Sequence, residues 1–109
     1  METMKNTDID ALIENITLNV FNTGTKPINF KIICTLPTSV DQIMIQTGLT
    51  KVPVNKHLND LEKYGLLRRE KGTGKVYPTE LTVLLKELIE NVEKHVSANV
   101  SKMLPKMLH

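Results

Sequence analysis

Val52, Asn55, Lys56, Asn59 and Lys63 follow one another at i, i+3, i+4, i+7 and i+11, the spacing of a single helix face. Arg68, Arg69, Lys71 and Lys75 come next, in a stretch whose one acid is Glu70. The Asn, Lys and Arg side chains donate hydrogen bonds, and the Lys and Arg carry positive charge. Asparagine sets a donor beside an acceptor, which matches adenine N6 and N7; lysine reaches guanine O6 and N7 or a phosphate oxygen. Val52 suits a thymine methyl. Thr50 and Lys51 stand at the expected start of the helix, where free N–H groups and the helix dipole favour phosphate. Two readings fit these residues: contact with a duplex polyanion, or a solvated basic face that keeps a small domain soluble.

Other chemistries lack their residues. A single cysteine, Cys34, rules out internal disulfides and cysteine-pair zinc sites. Cys34 lies in an apolar segment, where burial is expected rather than the exposure and lowered pKa of a redox thiol. His95 has asparagine at both 91 and 99, so it has no helical metal-binding partner, and His109 is distant in sequence. No metal and no cofactor are expected. "GTGK" (72–75) echoes a nucleotide loop, but the GxxxxGK[ST] spacing is absent and no helix follows. Without a Ser/His/Asp or Cys/His constellation, an enzyme is not expected.

The basic residues need positioning elements, and the sequence supplies them. Asp8 suits the cap of a first helix with an apolar stripe at Ile9, Leu12, Ile13, Ile16 and Val20. Gly24 stops it and Pro27 opens a second helix over 27–35, dense in Ile28, Phe30, Ile32 and Ile33. Pro37 disfavours a helical Leu36, so 36–39 reads as an extended connector. Ser39 or Thr38 caps a short helix over 40–46, which ends at Thr47 and Gly48. Thr50 caps the helix over 51–64, with Pro53 in its first turn and Gly65 at its end. Val54, Leu58 and Leu61 form the core stripe of that helix and turn the acid-free Asn/Lys face outward. "LLRRE", "KGTG" and "KVY" read as a β-hairpin, with Arg68 and Glu70 on one face and Arg69 and Lys71 on the other. Pro78 and Thr79 stop it, and a long helix runs from 80 to 104, where Pro105 should end or kink it.

Length and composition frame this reading. The chain has 109 residues and is 40% apolar and 24% charged, which fits one globular domain. At 4% aromatic and with no Trp, the core must be aliphatic. Net charge is only +2, so the case for a polyanionic partner rests on where the charges sit. No apolar run approaches the ~20 residues of a membrane span. "METMKNTDID" has no basic segment followed by an apolar core, so a secretory signal is not expected there. The expected location is the cytoplasm, with no membrane partner.

The segment from "SVDQIMIQTGLT" through "KHLNDLEKYGLL", "RREKGTGK" and "YPTELT" (39–82) resembles the winged helix-turn-helix regulators of prokaryotes, above all the ArsR-like and MarR-like groups. The resemblance implies a mainly α fold with a small β-hairpin over 1–109: helix-turn-helix 39–64, wing 66–77, and a long C-terminal dimerisation helix 80–104. It implies that 51–64 is the recognition helix, so that Thr50, Lys51, Val52, Asn55, Lys56 and Asn59 reach DNA together with Arg68, Arg69, Lys71 and Lys75. His57 falls where the family has a polar residue or His before a core Leu, as a packed or phosphate-facing side chain. The cysteine pair or His/Asp clusters of metal-sensing ArsR members are missing here.

From Leu81 the apolar stripe is wide, then narrows to a helix–helix seam. A helix over 80–104 is roughly 36 Å long, more than a domain of this size needs for its own core. A two-fold homodimer is therefore expected, through Leu85, Leu88, Val92, Val96, Val100 and Met103, with the first helix packing across. The apolar tail "KMLPKMLH" suits that interface or, alternatively, a small-molecule pocket in it. The expected function is sequence-specific binding of double-stranded DNA by a homodimeric transcriptional regulator. The alternative is a winged-helix interaction module within a transcription or replication assembly. The effector, if any, is unknown from sequence.

Overall fold

The computed structural model of the protein describes residues 6–107. Helix α1 (Asn6–Gly24) leads through a short turn into α2 (Pro27–Thr35). Strand β1 (Thr38–Ser39) precedes α3 (Val40–Thr47), and α4 (Lys51–Lys63) follows. Strands β2 (Arg68–Arg69) and β3 (Lys75–Tyr77) form the hairpin, and α5 (Glu80–Met107) closes the order.

Local signals explain most of these boundaries. The Ser39 hydroxyl accepts from the Gln42 N–H at 3.2 Å and so caps α3. Gly48 ends that helix at φ 71°, a conformation glycine adopts without steric cost, with its N–H on the Met44 carbonyl. At the end of α4 the Leu66 N–H reaches the Leu61 carbonyl and the Gly65 N–H the Glu62 carbonyl. That pair of bonds is the Schellman arrangement, and its apolar partners Leu61 and Leu66 are both fully buried.

Several expectations are corrected. Asp8 sits inside the first turn of α1 rather than at its cap. Thr50 occupies the N-cap position of α4 but its side chain makes no capping bond. The connector is more than a linker: Thr38 and Ser39 pair antiparallel with Val76 and Lys75, giving a three-stranded sheet of order β1-β3-β2. Two residues are too few to carry a strand signature, so the third strand was invisible to pattern. Pro105 neither ends nor breaks α5, which continues to Met107. Its ring removes one donor near the helix end, and the exposed carbonyl left behind can bond water. Cys34 is exposed, not buried: it lies on the outer side of α2 while Ile32 and Ile33 take the inner side.

The core is aliphatic. Ile32, Ile33, Ile43, Val54, Leu58, Leu61, Leu66, Leu67, Val76 and Leu85 draw on every helix but α1, which adds Val20. Gly24 shows how tightly α1 closes on it, since a Cβ there would stand 2.5 Å from a Leu85 methyl. Thr23, Asn29 and Thr82 are polar side chains buried among the described residues, Asn29 the deepest. Asn29 donates from Nδ2 to the Thr23 carbonyl at 2.9 Å, and its Oδ1 lies 2.8 Å from Nδ1 of His57. An amide oxygen only accepts, so His57 carries its proton on Nδ1. His57 is thus packed in place by a buried amide.

Candidate nucleic-acid interface

The exposed face of α4 is set by what the helix hides. Val54, Leu58 and Leu61 are all 0% exposed, which fixes the roll of the helix. Lys51, Val52, Lys56, Asn59 and Lys63 are consequently exposed, as is Thr50 before them, while Asn55 and His57 are half-buried at the edges. Val52 is 80% exposed.

The hairpin is anchored beside this face. The Val40 N–H bonds the Gly74 carbonyl at 2.9 Å, tying the wing tip to the start of α3. Glu70 N–H to Lys75 carbonyl at 3.0 Å closes the hairpin. Between hairpin and α4 lies a cleft of about 400 Å³ lined by Asn55, Glu62, Arg69, Glu70 and Lys71. Arg68, Lys71 and Lys75 are exposed on the wing.

The two faces of the hairpin behave differently, as alternation requires. On one, the Arg68 guanidinium stacks 4.8 Å from the Tyr77 ring centre, and the Tyr77 hydroxyl donates to Glu70 at 3.0 Å. On the other, Arg69 turns inward to α4. Its Nη2 donates to Glu62 Oε1 at 2.9 Å and also to Asn59 Oδ1, and its Nε donates to the same Glu62 oxygen at 3.3 Å. The hydrogen bond from Arg69 holds the Glu62 carboxyl below its ordinary range, with the guanidinium charge adding to that effect. Arg69, expected on phosphate, is therefore engaged within the protein. Glu62 and Tyr77 were missed as parts of this surface. A pair seven residues apart across a helix end and a strand has no periodic signature, and only the fold brings it together.

Cys34 is not activated. Desolvation raises its pKa; Lys86 pulls the other way, and Glu93 and Glu90 add to the rise. Among the described residues no group of three His, Cys, Asp or Glu side chains could hold a metal ion, and no helix is long and apolar enough to cross a membrane.

The expected dimer residues divide. Leu85 is only 3% exposed and belongs to the chain's own core, so it is not a surface residue. Leu88, Val92, Val96, Val100 and Met103 are 43–53% exposed along α5. Ile9, Leu12, Ile13 and Ile16 of α1 are also open. An apolar groove of about 300 Å³ runs between the two helices, lined by Ile16, Val20, Phe21, Leu81, Leu84 and Leu88.

No protein-family model matches the sequence, and no curated protein matches it significantly. Solved structures do match in shape. The homodimeric winged helix-turn-helix DNA-binding domain of Mb0332 from Mycobacterium bovis, a possible ArsR-family transcriptional regulator, superposes with a TM-score of 0.72 at 18% identity, covering 90% of this chain and 95% of that one. HlyU from Vibrio cholerae gives 0.62 at 17% identity over 82% and 97% of the two chains. The transcriptional repressor BigR from Xylella fastidiosa gives 0.56 at 22% identity over 78% and 93%. By overall shape this chain has the winged helix-turn-helix fold, and its own last helix, α5, is long.

Proposed function

We propose that the protein is a sequence-specific, double-stranded-DNA-binding transcriptional regulator that acts as a homodimer. The observation that carries the proposal is the exposed face of α4, which presents Lys51, Val52, Lys56 and Asn59 and keeps its acids to the edge, where Arg69 pairs Glu62. In this reading α4 enters the major groove. Asn55, Lys56 and Asn59 meet base edges, and Val52 meets a thymine methyl. Thr50 and Lys51 at the helix start, with Arg68, Lys71 and Lys75 of the wing, meet the backbone or the minor groove. Arg69 supports the wing from behind.

A two-fold axis along α5, with α1 packing across, would cover the open stripes of both helices. It would set the two recognition helices about 34 Å apart, one turn of DNA, and so demand a palindromic site. The homodimeric state of the Mb0332 domain supports that arrangement.

Titration of the protein into labelled random duplex at several salt concentrations tests the function. Binding is expected to weaken steeply as salt rises, because each neutralised phosphate releases a counterion. A protein-docking module is the second reading, and one observation favours it: Ile45 and Val52 stand 74% and 80% exposed on the helix-turn-helix. No shift of random duplex at micromolar protein and low salt would decide for that reading.

A further inference from the structure

The recognition helix carries two asparagines, and only one of them keeps a whole amide. Asn59 Oδ1 is held by the Arg69 guanidinium, which is itself fixed by two bonds to Glu62 Oε1. The orientation of this amide is not ambiguous. A guanidinium has donors only, so the group facing it must be the oxygen. Nδ2 is left as the free end, on an exposed residue of the outward face. Asn55 has no such partner among the described residues.

An asparagine reads adenine by using both ends of its amide at once, accepting from N6 and donating to N7. With the guanidinium on one lone pair of Oδ1, Asn59 could accept from N6 only through the other, beside a positive charge that disfavours a second donor there. It can still donate to guanine O6 or N7, to thymine O4, or to adenine N7 alone, and the last leaves the adenine N6 donor without a partner. Resting on the reading of α4 as a DNA-recognition helix, we propose that Arg69 and Glu62 set the base specificity of Asn59, converting it from an adenine reader into a donor-only group that selects bases presenting acceptors, guanine or thymine. Arg69 is then a specificity-determining residue without touching the base. The holding contact combines charge-assisted hydrogen bonds with an ion pair at the wing base.

Selection of bound duplexes from a random pool, run in parallel on four proteins, tests this. The wild-type chain is expected to select guanine or thymine at one position per half-site whose preference disappears in Asn59→Ala. Arg69→Met keeps the aliphatic stem and removes every donor, so the preferred base at that position is expected to change to adenine by about tenfold, the discrimination typical of one bidentate pair. Asn59→Asp keeps the bond to Arg69 and turns the outward end into an acceptor, so it is expected to prefer cytosine, whose N4 donates. That variant strengthens the wing contact and keeps the test alive should Arg69→Met fold poorly. Adenine at the Asn59 position in wild type, or an unchanged base there in both Arg69→Met and Asn59→Asp, overturns the inference while leaving DNA binding intact. A wild-type pool with no consensus removes both the inference and the reading beneath it, and a consensus that survives Asn59→Ala removes the inference alone.

Discussion

Helices α4 and α5 both carry regular apolar stripes, yet they meet opposite fates. In α4 the stripe of Val54, Leu58 and Leu61 is wholly inside. In α5 it starts inside, at Leu85, and from Leu88 to Met103 it stays about half open. One helix is completed by its own domain and shows solvent its polar side. The other has apolar surface left over. The difference separates two outcomes that a hydrophobic pattern alone does not distinguish: a stripe that fixes a surface, and a stripe that remains one.

The sharpest way to break the comparison is Leu58→Ala. It removes a fully buried side chain and is expected to cost about 2–5 kcal/mol of stability, read from denaturant unfolding. The matching change on α5, Val96→Ala, is expected to cost the isolated chain under about 1 kcal/mol. If the two lose equal stability at low concentration, the contrast fails. Next comes Val96→Glu. A charge on the open stripe is expected to shift a sedimenting dimer to monomer while helix content by circular dichroism holds. A monomeric wild type would show that α5 does not await a second copy.

On the α4 side, Lys71→Ala is expected to weaken cognate and random duplex alike and to lower the salt slope by about 1, since one phosphate contact is lost. The smallest effect is expected at Glu62. Its pKa is depressed in the folded protein, so its contribution to stability is present above the ordinary carboxyl value of 4.5 and is lost as pH falls below it. Glu62→Gln should therefore be slightly less stable than wild type at neutral pH, by at most about 1 kcal/mol for a pair this exposed. The gap should close in acid. A gap that persists at low pH would mean the carboxylate charge is not what Arg69 holds.

The parts of the molecule legible in the sequence are those governed by local rules. Gly48 and Gly65 marked helix ends because a left-handed residue is needed there, and the stripe of Val54, Leu58 and Leu61 gave the roll of α4. Alternation along the hairpin correctly parted Arg68 from Arg69. What stayed hidden depended on neighbours distant in sequence. Cys34 looked buried because its segment is apolar, but a helix packed on one side leaves the other open. Leu85 looked like interface because it lies on the same stripe as Leu88, and only the closure of α1 over it at Gly24 shows which side of the boundary it falls on. The clasp of Arg69 on Asn59 and Glu62 joins a strand to a helix, and no spacing rule covers that.

The start of α5 carries one more consequence. Thr79 and Thr82 cap the helix reciprocally: each backbone N–H donates to the other's hydroxyl oxygen, at 2.9 and 3.2 Å. Their own hydroxyl protons go to the carbonyls of Gly65 and Leu66, both at 2.6 Å. Those carbonyls belong to the turn that ends α4. The two helices are therefore joined by hydrogen bonds as well as through the shared core, so the start of α5 is tied to the end of α4. In the proposed dimer, the grip on the far end of α5 and the aim of α4 would then meet at this one turn.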